Sequence, residues 1–356
     1  MKSPFICALL CIFFAASPLL ARTWTVNTAG TGDAPTIQAG LDSAGAGDTV
    51  LVECGTYYEH DIVMKSEVVL TSDTGLPDCV SIDAQGLGRV FYCDGLYWTT
   101  TISGFTITGG YAAGDFPEIE GGGAYCSGGT EGAFTRCLFK GNSADGSGGA
   151  VAAYSSDPSF TMCTFTENHA AATGGAMKFW QCQCPLLFTC TATRNSAGTS
   201  GGAIYCGDSS SPGLTGCTFI NNSAGYLGAG LYSTLGSQPQ LYRCLIAFNA
   251  GSEGVYASLP GDAPSLMCCD IYGNSGGDWV GNIADQDTVY GNISADPLFC
   301  DTSGTQLYLE TCSPCLEGNH PRGHDCAHYI GAWEGSCGCG EATEPVTWGA
   351  IKSLYR

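Results

Sequence analysis

The feature that most constrains this chain is a repeat of 25 to 27 residues through its middle. Asparagine recurs at Asn142, Asn168, Asn195, Asn222, Asn249 and Asn274. Five residues before each stands a cysteine: Cys137, Cys163, Cys190, Cys217, Cys244 and Cys269. Three residues earlier come Phe134, Phe160, Leu187, Leu214, Leu241 and Leu266, and proline precedes the last five of these by two. Glycine pairs open the units at Gly122-Gly123, Gly148-Gly149, Gly174-Gly175 and Gly201-Gly202, with a relaxed copy at Gly228-Ala229-Gly230. Columns that share one period in this size range are the mark of a stacked repeat.

Within a unit the periodicity is two. Ile204 and Cys206 flank Tyr205, and Cys217 and Phe219 flank Thr218, the alternation of a strand. The segments are short, rich in Thr, Val, Ile, Phe and Tyr, and punctuated by Gly, Ser, Asn and Pro, which again reads as strands. A unit this small cannot enclose a core and must stack on its neighbours. Each copy is then one turn of a coil, with equivalent residues about 4.8 Å apart. Val151, Met177, Ile204, Leu231 and Val255 form one inward column, the six cysteines a second, and Phe139, Phe165, Phe219, Ile246 and Ile271 a third. The asparagines stack at a corner and hydrogen-bond to one another. The cysteines pack as small hydrophobes, and parallel in-register thiols are poorly disposed to bridge. The predicted fold is all-β: a right-handed parallel β-helix of roughly eight to ten coils, with an N-terminal helical cap and a Cys-rich C-terminal cap.

Composition narrows the function. Charged residues are 13% and apolar residues 44%, which excludes a disordered chain. Glycine, at 52 of 356 residues, has no three-residue period, which excludes collagen. Lys and Arg total 12 against 33 Asp and Glu, a formal charge of −21. Such a surface repels phosphate backbones, so nucleic acid is excluded as a partner. Residues 1–21 read as a signal peptide: Lys2, an apolar run from Pro4 to Ala16, and small residues at Ala15, Ala16, Ser17 and Ala21. The run is too short for a membrane span, and no span is expected in the mature chain. The protein is therefore expected to be exported, extracellular or outer-membrane and cell-surface associated, and its cysteines to meet an oxidising compartment.

The ends of a solenoid need covering. Trp24-Thr25-Val26 reads as the first strand, and Pro35 to Ala44 as a short plugging helix with Ile37 and Leu41 on one side and Thr36 near its start. The solenoid with this cap is assigned to residues 22–295. Residues 296–340 lose the period and gather Cys300, Cys312, Cys315, Cys326, Cys337 and Cys339, a disulfide-stapled cap whose connectivity spacing does not determine. Residues 341–356 read as a linker and a tail bearing Trp348, Ile351, Leu354, Tyr355, Lys352 and Arg356. Two readings of the tail stand: a sorting signal taken by export machinery, or a frayed end or strand on the cap.

The Gly-Gly-Ala-apolar element followed by Phe-x-x-Asn, clearest at Gly201-Gly202-Ala203-Ile204 and Phe219-Ile220-Asn221-Asn222, resembles the repeats of chlamydial polymorphic outer-membrane proteins. Those repeats fall within the pectin-lyase-like superfamily of right-handed β-helices. Thr36-Ile37-Gln38-Ala39, Gly47-Asp48-Thr49-Val50 and Gly55-Thr56-Tyr57 resemble the opening of secreted bacterial β-helix proteins. Asp296-Pro297-Leu298-Phe299, Ser313-Pro314-Cys315 and Ile330-Gly331-Ala332 resemble their close. The resemblance implies the fold and leaves activity open, since one fold carries lyases, hydrolases, esterases, adhesins and inert surface proteins.

The outward positions bear on binding. With Ile204 inward, Tyr205 faces out, and its equivalents are Lys178, Tyr232 and Tyr256; two residues on, Tyr154 and Trp180 face out as well. Sugar rings stack on aromatic faces, and the resemblance implies polysaccharide binding along such a face. This strip is the expected site for a polysaccharide or cell-surface glycan. Catalytic constellations are missing: the regular coils hold only Arg136, Lys140, Lys178, Arg194 and Arg243 as basic residues, and no paired aspartates with His and an Arg-x-Lys element occur. Asp115, Glu118 and Glu120 form an acidic loop with calcium as the alternative reading. His320, His324 and His328 around Cys326 read as a structural loop, since Pro321 and Gly323 oppose the helix that would align them. No catalytic residue, metal or cofactor is assigned. The expected function is a non-catalytic exported protein that binds carbohydrate or adheres; the alternative is a polysaccharide lyase or glycoside hydrolase acting along an outer face.

Overall fold

Each coil is bent into shape at corners where the backbone turns left-handed. A residue of positive φ precedes every cysteine of the column, from Arg136 (50°) through Met162, Thr189, Gly216 and Arg243 to Cys268 (52°). Another precedes every asparagine: Gly141, Glu167, Arg194, Asn221, Phe248 and Gly273. Such φ values disfavour side-chain-bearing residues, so regular bonding at each corner has to hold them. The glycine pairs have a similar origin. Gly201 sits at φ 70°, while a Cβ on Gly202 would come 2.4 Å from the Ala229 carbonyl oxygen of the next coil. The first glycine supplies the conformation, and the second lets the coils close up. Register places Gly121-Gly122, one residue earlier than the sequence reading, opposite Gly148-Gly149.

The computed structural model describes residues 21–301, 307–323, 326, 328–333 and 335–339. Nearly all of the expected leader, the 341–356 linker and tail, and His324 lie outside them. The strands of the solenoid form four stacked parallel sheets, and Leu309–Glu310 pairs with Gly335–Cys337 in a separate two-stranded one. Sheet I has eight strands, Ile62–Val63 to Val255–Ala257; sheet II has ten, Thr23–Val26 to Ser265–Met267. Sheet III has nine, Gly55–Tyr57 to Asp270–Tyr272, and sheet IV five short ones, Tyr111–Ala112 to Ser223–Ala224. The nine strands of sheet III count the coils, so the chain is the all-β parallel solenoid that its period demands. Among the described residues no helix is long and apolar enough to cross a membrane.

Like residues stack on like inside. The Val151–Val255 column is fully buried, as are Phe139, Phe165, Phe219, Ile246 and Ile271. Phe134 stacks on Phe160 at 5.3 Å and Phe139 on Phe165 at 4.9 Å between ring centroids. The six cysteines are buried and free; the Cys163 thiol donates to the Phe134 carbonyl of the coil before at 3.4 Å.

The asparagines make a continuous ladder. The Asn195 Oδ1 accepts from the Asn168 backbone N–H at 3.0 Å and from its Nδ2 at 2.9 Å, and Asn195 Nδ2 donates onward to Asn222 Oδ1 and to the Phe165 carbonyl. A second ladder, not anticipated from sequence, runs between sheets I and II. Thr130 Oγ1 accepts from Leu96 N–H, Ser156 Oγ from Thr130, Ser210 Oγ from Cys182, and Ser237 Oγ from Ser210, at 3.1 to 3.3 Å.

The N-terminal plug is α1 (Ile37–Ser43), with Thr36 accepting from the Ala39 N–H as N-cap and Ile37 and Leu41 buried. A disulfide, Cys54–Cys79, staples the first coils. At the far end Cys300 pairs with Cys337 and Cys312 with Cys339. Two cap cysteines depart from the expected set. Cys326 bonds to Cys268 of the last regular coil, and Cys315 is a free buried thiol donating to Asp270 Oδ2 at 3.2 Å. Sequence grouping failed because the cap bridges to the solenoid as well as to itself.

Candidate functional site

Alternation along sheet I sends every second residue outward. Tyr92, Tyr125, Ala152, Lys178, Tyr205, Tyr232 and Tyr256 stand in register down one outer column. Tyr154, Trp180 and Gly207 stand in the neighbouring one. All six residues singled out from sequence thus lie on one face, in two halves of different character.

The first half is closed. Lys178 Nζ donates to the Tyr154 hydroxyl and lies 3.4 Å from Glu120 Oε2. It sits 4.9 Å from the Tyr154 ring centroid and 5.5 Å from that of Trp180, within cation–π range. Trp180 lies across Gly207, where a Cβ would come 2.9 Å from the indole carbons. The Lys178 and Glu120 side chains are only 11% and 6% exposed. Burial raises the Glu120 carboxyl, with Lys178 opposing, and burial lowers the Lys178 ammonium, with Glu120 opposing. The Tyr154 hydroxyl is pushed well up, first by burial and then by Glu120. Lys178 is one half of a compensated pair and presents no free positive charge.

The loop at residues 113–121 makes this closure. Phe116 meets the Tyr154 ring edge-on at 5.4 Å. Arg89, almost fully buried, donates to the Pro117 carbonyl at 3.1 Å, pairs with Glu118 at 3.1 Å and lies over the rings of Tyr92 and Tyr125. Glu118 and Glu120 therefore turn to different cations, which corrects the reading of Asp115, Glu118 and Glu120 as one acidic cluster. Sequence reasoning passed over Arg89 because it precedes the first regular unit. Its closeness to Tyr92, in the tyrosine column, is the signal that could have found it.

The second half is open. Tyr205 and Tyr232 stack at 5.3 Å with 22° between planes, and Tyr232 and Tyr256 at 5.7 Å with 1°. The rings thus cover one another's faces, and a ligand meets edges and hydroxyls instead of the flat faces that sequence suggested. Burial pushes the Tyr205 hydroxyl up to about 12, helped by Tyr232, so it stays a donor at neutral pH. The Tyr232 hydroxyl shares a 2.7 Å bond with Ser258.

Elsewhere, His320 Nε2 lies 3.0 Å from the Gly291 carbonyl, and its Nδ1 accepts from the Arg322 N–H, so the loop itself uses both ring nitrogens. His328 is exposed. Among the described residues Glu310, Cys312 and Cys339 form a group of metal-ligating types, but the two sulfurs are joined in a disulfide.

No curated protein matches the chain. The family model for a right-handed β-helix region matches residues 89–294, from the buried Arg89 through the last regular coil. That span is more than half of the chain and includes the whole outer face just described, and the chain belongs to the right-handed β-helix family.

Proposed function

We propose that this is an exported, surface-associated, non-catalytic β-helix protein that binds a neutral glycan along the outer face of sheet I. The observation that carries the reading is the unbroken column Tyr205–Tyr232–Tyr256 beside Trp180, with ring separations of 5.3 and 5.7 Å. An extended polymer laid along the axis meets one aromatic edge and one hydroxyl per coil. Neutrality follows from charge: Lys178 is compensated by Glu120, and a chain of net charge −21 repels polyanions. Export rests on the signal-like residues 1–21 and sorting on the 341–356 tail, both as read from sequence.

A polysaccharide array read twice, for retention and for new reducing ends or unsaturated products, tests the proposal. Retention of a neutral glycan without products is expected, and the combined Trp180→Ala, Tyr205→Ala, Tyr232→Ala change abolishes it. Turnover of any polymer, or retention untouched by the triple change, overturns it.

A further inference from the structure

The outer face of sheet III is roofed in part by the chain's own C-terminal segment. Three consecutive residues climb the solenoid. Gly331 N–H donates to the Arg243 carbonyl at 2.8 Å, Ala332 N–H to Thr218 Oγ1 at 2.9 Å, and the Trp333 indole N–H to Thr191 Oγ1 at 2.9 Å. The column they follow continues in register to Thr164, one coil further on. There a cavity of about 360 Å³ opens, lined by Met162, Thr164, Thr189, Tyr308, Tyr329 and Trp333 among others. Tyr308 meets Trp333 edge-on at 5.3 Å.

This volume is at the small end of ligand clefts, and apolar walls with a few aligned polar groups are the usual composition of a binding pocket. Among the described residues no charged side chain lines it, which favours a neutral occupant. The backbone N–H and C=O groups of sheet III point along the stack to neighbouring coils, so a peptide cannot add here as a strand. What the face offers is threonine hydroxyls, which already accept from Trp333 and Ala332, beside aromatic rings. A pyranose has the matching chemistry, an apolar C–H face and donating hydroxyls. We propose that this cavity binds a neutral saccharide unit, packed on Trp333 and Tyr308 and hydrogen-bonded to Thr164 and Thr189. The site is separate from the sheet I face and does not depend on it.

Calorimetric titration of the full chain with cellotetraose, maltotetraose and mannotetraose tests the assignment. At least one is expected to bind, Trp333→Ala to weaken it by at least about tenfold, and Thr164→Val by about fivefold. The titrations are repeated in the Trp180→Ala, Tyr205→Ala, Tyr232→Ala background, so that the sheet I face proposed above does not contribute and the heat reports this cavity. Trp333 also holds the closing segment, so a melt accompanies that variant; where its fold is lost, Thr164→Val, which exchanges a hydroxyl for a methyl, decides. The assignment fails if none of the three sugars binds, if Thr164→Val binds like the parent, or if N-acetyl-leucinamide fills the cavity in their place.

Discussion

The two ladders that run the length of the solenoid do the same work with different chemistry. At the corner after sheet III, each inner asparagine from Asn168 to Asn249 accepts a backbone N–H from the coil before, accepts again from that coil's side-chain amide, and donates twice. At the corner between sheets I and II, each hydroxyl accepts one backbone N–H, and Thr130, Ser156 and Ser210 also donate to a carbonyl, Ser210 to Gly207 at 2.7 Å. Only a carboxamide combines two donors with an acceptor that takes two bonds, and at the first corner it is carried on the short arm of asparagine in all six coils. The second needs only an oxygen on a short arm, and Thr130, Ser156, Ser210 and Ser237 share it. A strict column marks a corner with four bonds per rung, and a loose column one with two.

The widest expected gap comes from removing one rung of each. Asn195→Ala takes one partner each from the buried Asn168 N–H, the Asn168 Nδ2 and the Phe165 carbonyl, and costs about 4 kcal/mol. Ser210→Ala removes the acceptor of the Cys182 N–H and the donor to Gly207, and costs about 2 kcal/mol. Urea midpoints measure both, and hydrogen exchange at the Asn168 and Cys182 amides locates the damage. Equal costs would remove the distinction between the corners.

Asp270 is a third kind of buried polar group, a carboxylate where the solenoid meets its cap. Its Oδ1 accepts from the Ala295 N–H at 3.1 Å and its Oδ2 from the Cys315 thiol at 3.2 Å. Burial nevertheless raises it to about 7, with Asp278 and Asp296 adding repulsion. The unfolded carboxyl titrates near the ordinary value of about 4. Between these values the folded chain holds a proton that the unfolded chain has released, so stability falls as pH rises through the window and levels off above it. The loss is on the order of 4 kcal/mol. Asp270→Asn, with the same shape and no charge, is expected to remove that slope and to be the more stable form at pH 8. Parallel pH profiles of parent and variant would show that Asp270 behaves as the neutral rungs do.

The same contrast explains what could be read from the sequence. The fold was legible because six successive coils repeat the asparagine and the cysteine, and most of them the glycine whose Cβ would strike the next backbone, so the period is written in identical letters. The hydroxyl ladder was not, because Thr, Ser and Cys alternate along it. The six outward residues Tyr154 to Tyr256 were placed by counting in twos, but counting does not reveal that Tyr205, Tyr232 and Tyr256 cover one another's faces. Glu120 reaches Lys178 across 58 residues, and Trp333 reaches Thr191 across 142. Such contacts occur once, and a single contact leaves no period to detect.

The smallest effect is expected where the loose column already holds a substitute. Cys182 occupies the rung between Ser156 and Ser210; its N–H donates to Ser210 Oγ, and its thiol donates to the Ala153 and Trp180 carbonyls at 3.3 and 3.4 Å. Burial raises this thiol to about 12, so it remains a neutral donor throughout the ordinary pH range. Cys182→Ser shortens the arm and replaces a weak sulfur acceptor with a strong oxygen one, extending the ladder toward the Ser156 amide. The loss of sulfur packing offsets that gain, and the net change is expected within about 1 kcal/mol, on the stabilising side. Cys217→Ser makes the same exchange in the other column, where the thiol stands in the apolar core 3.6 Å from the Leu187 carbonyl, and is expected to destabilise by about 1 kcal/mol. Opposite signs for one chemical change would show that the corner decides which atom it needs; a shared sign would mean that cysteine is merely tolerated in both.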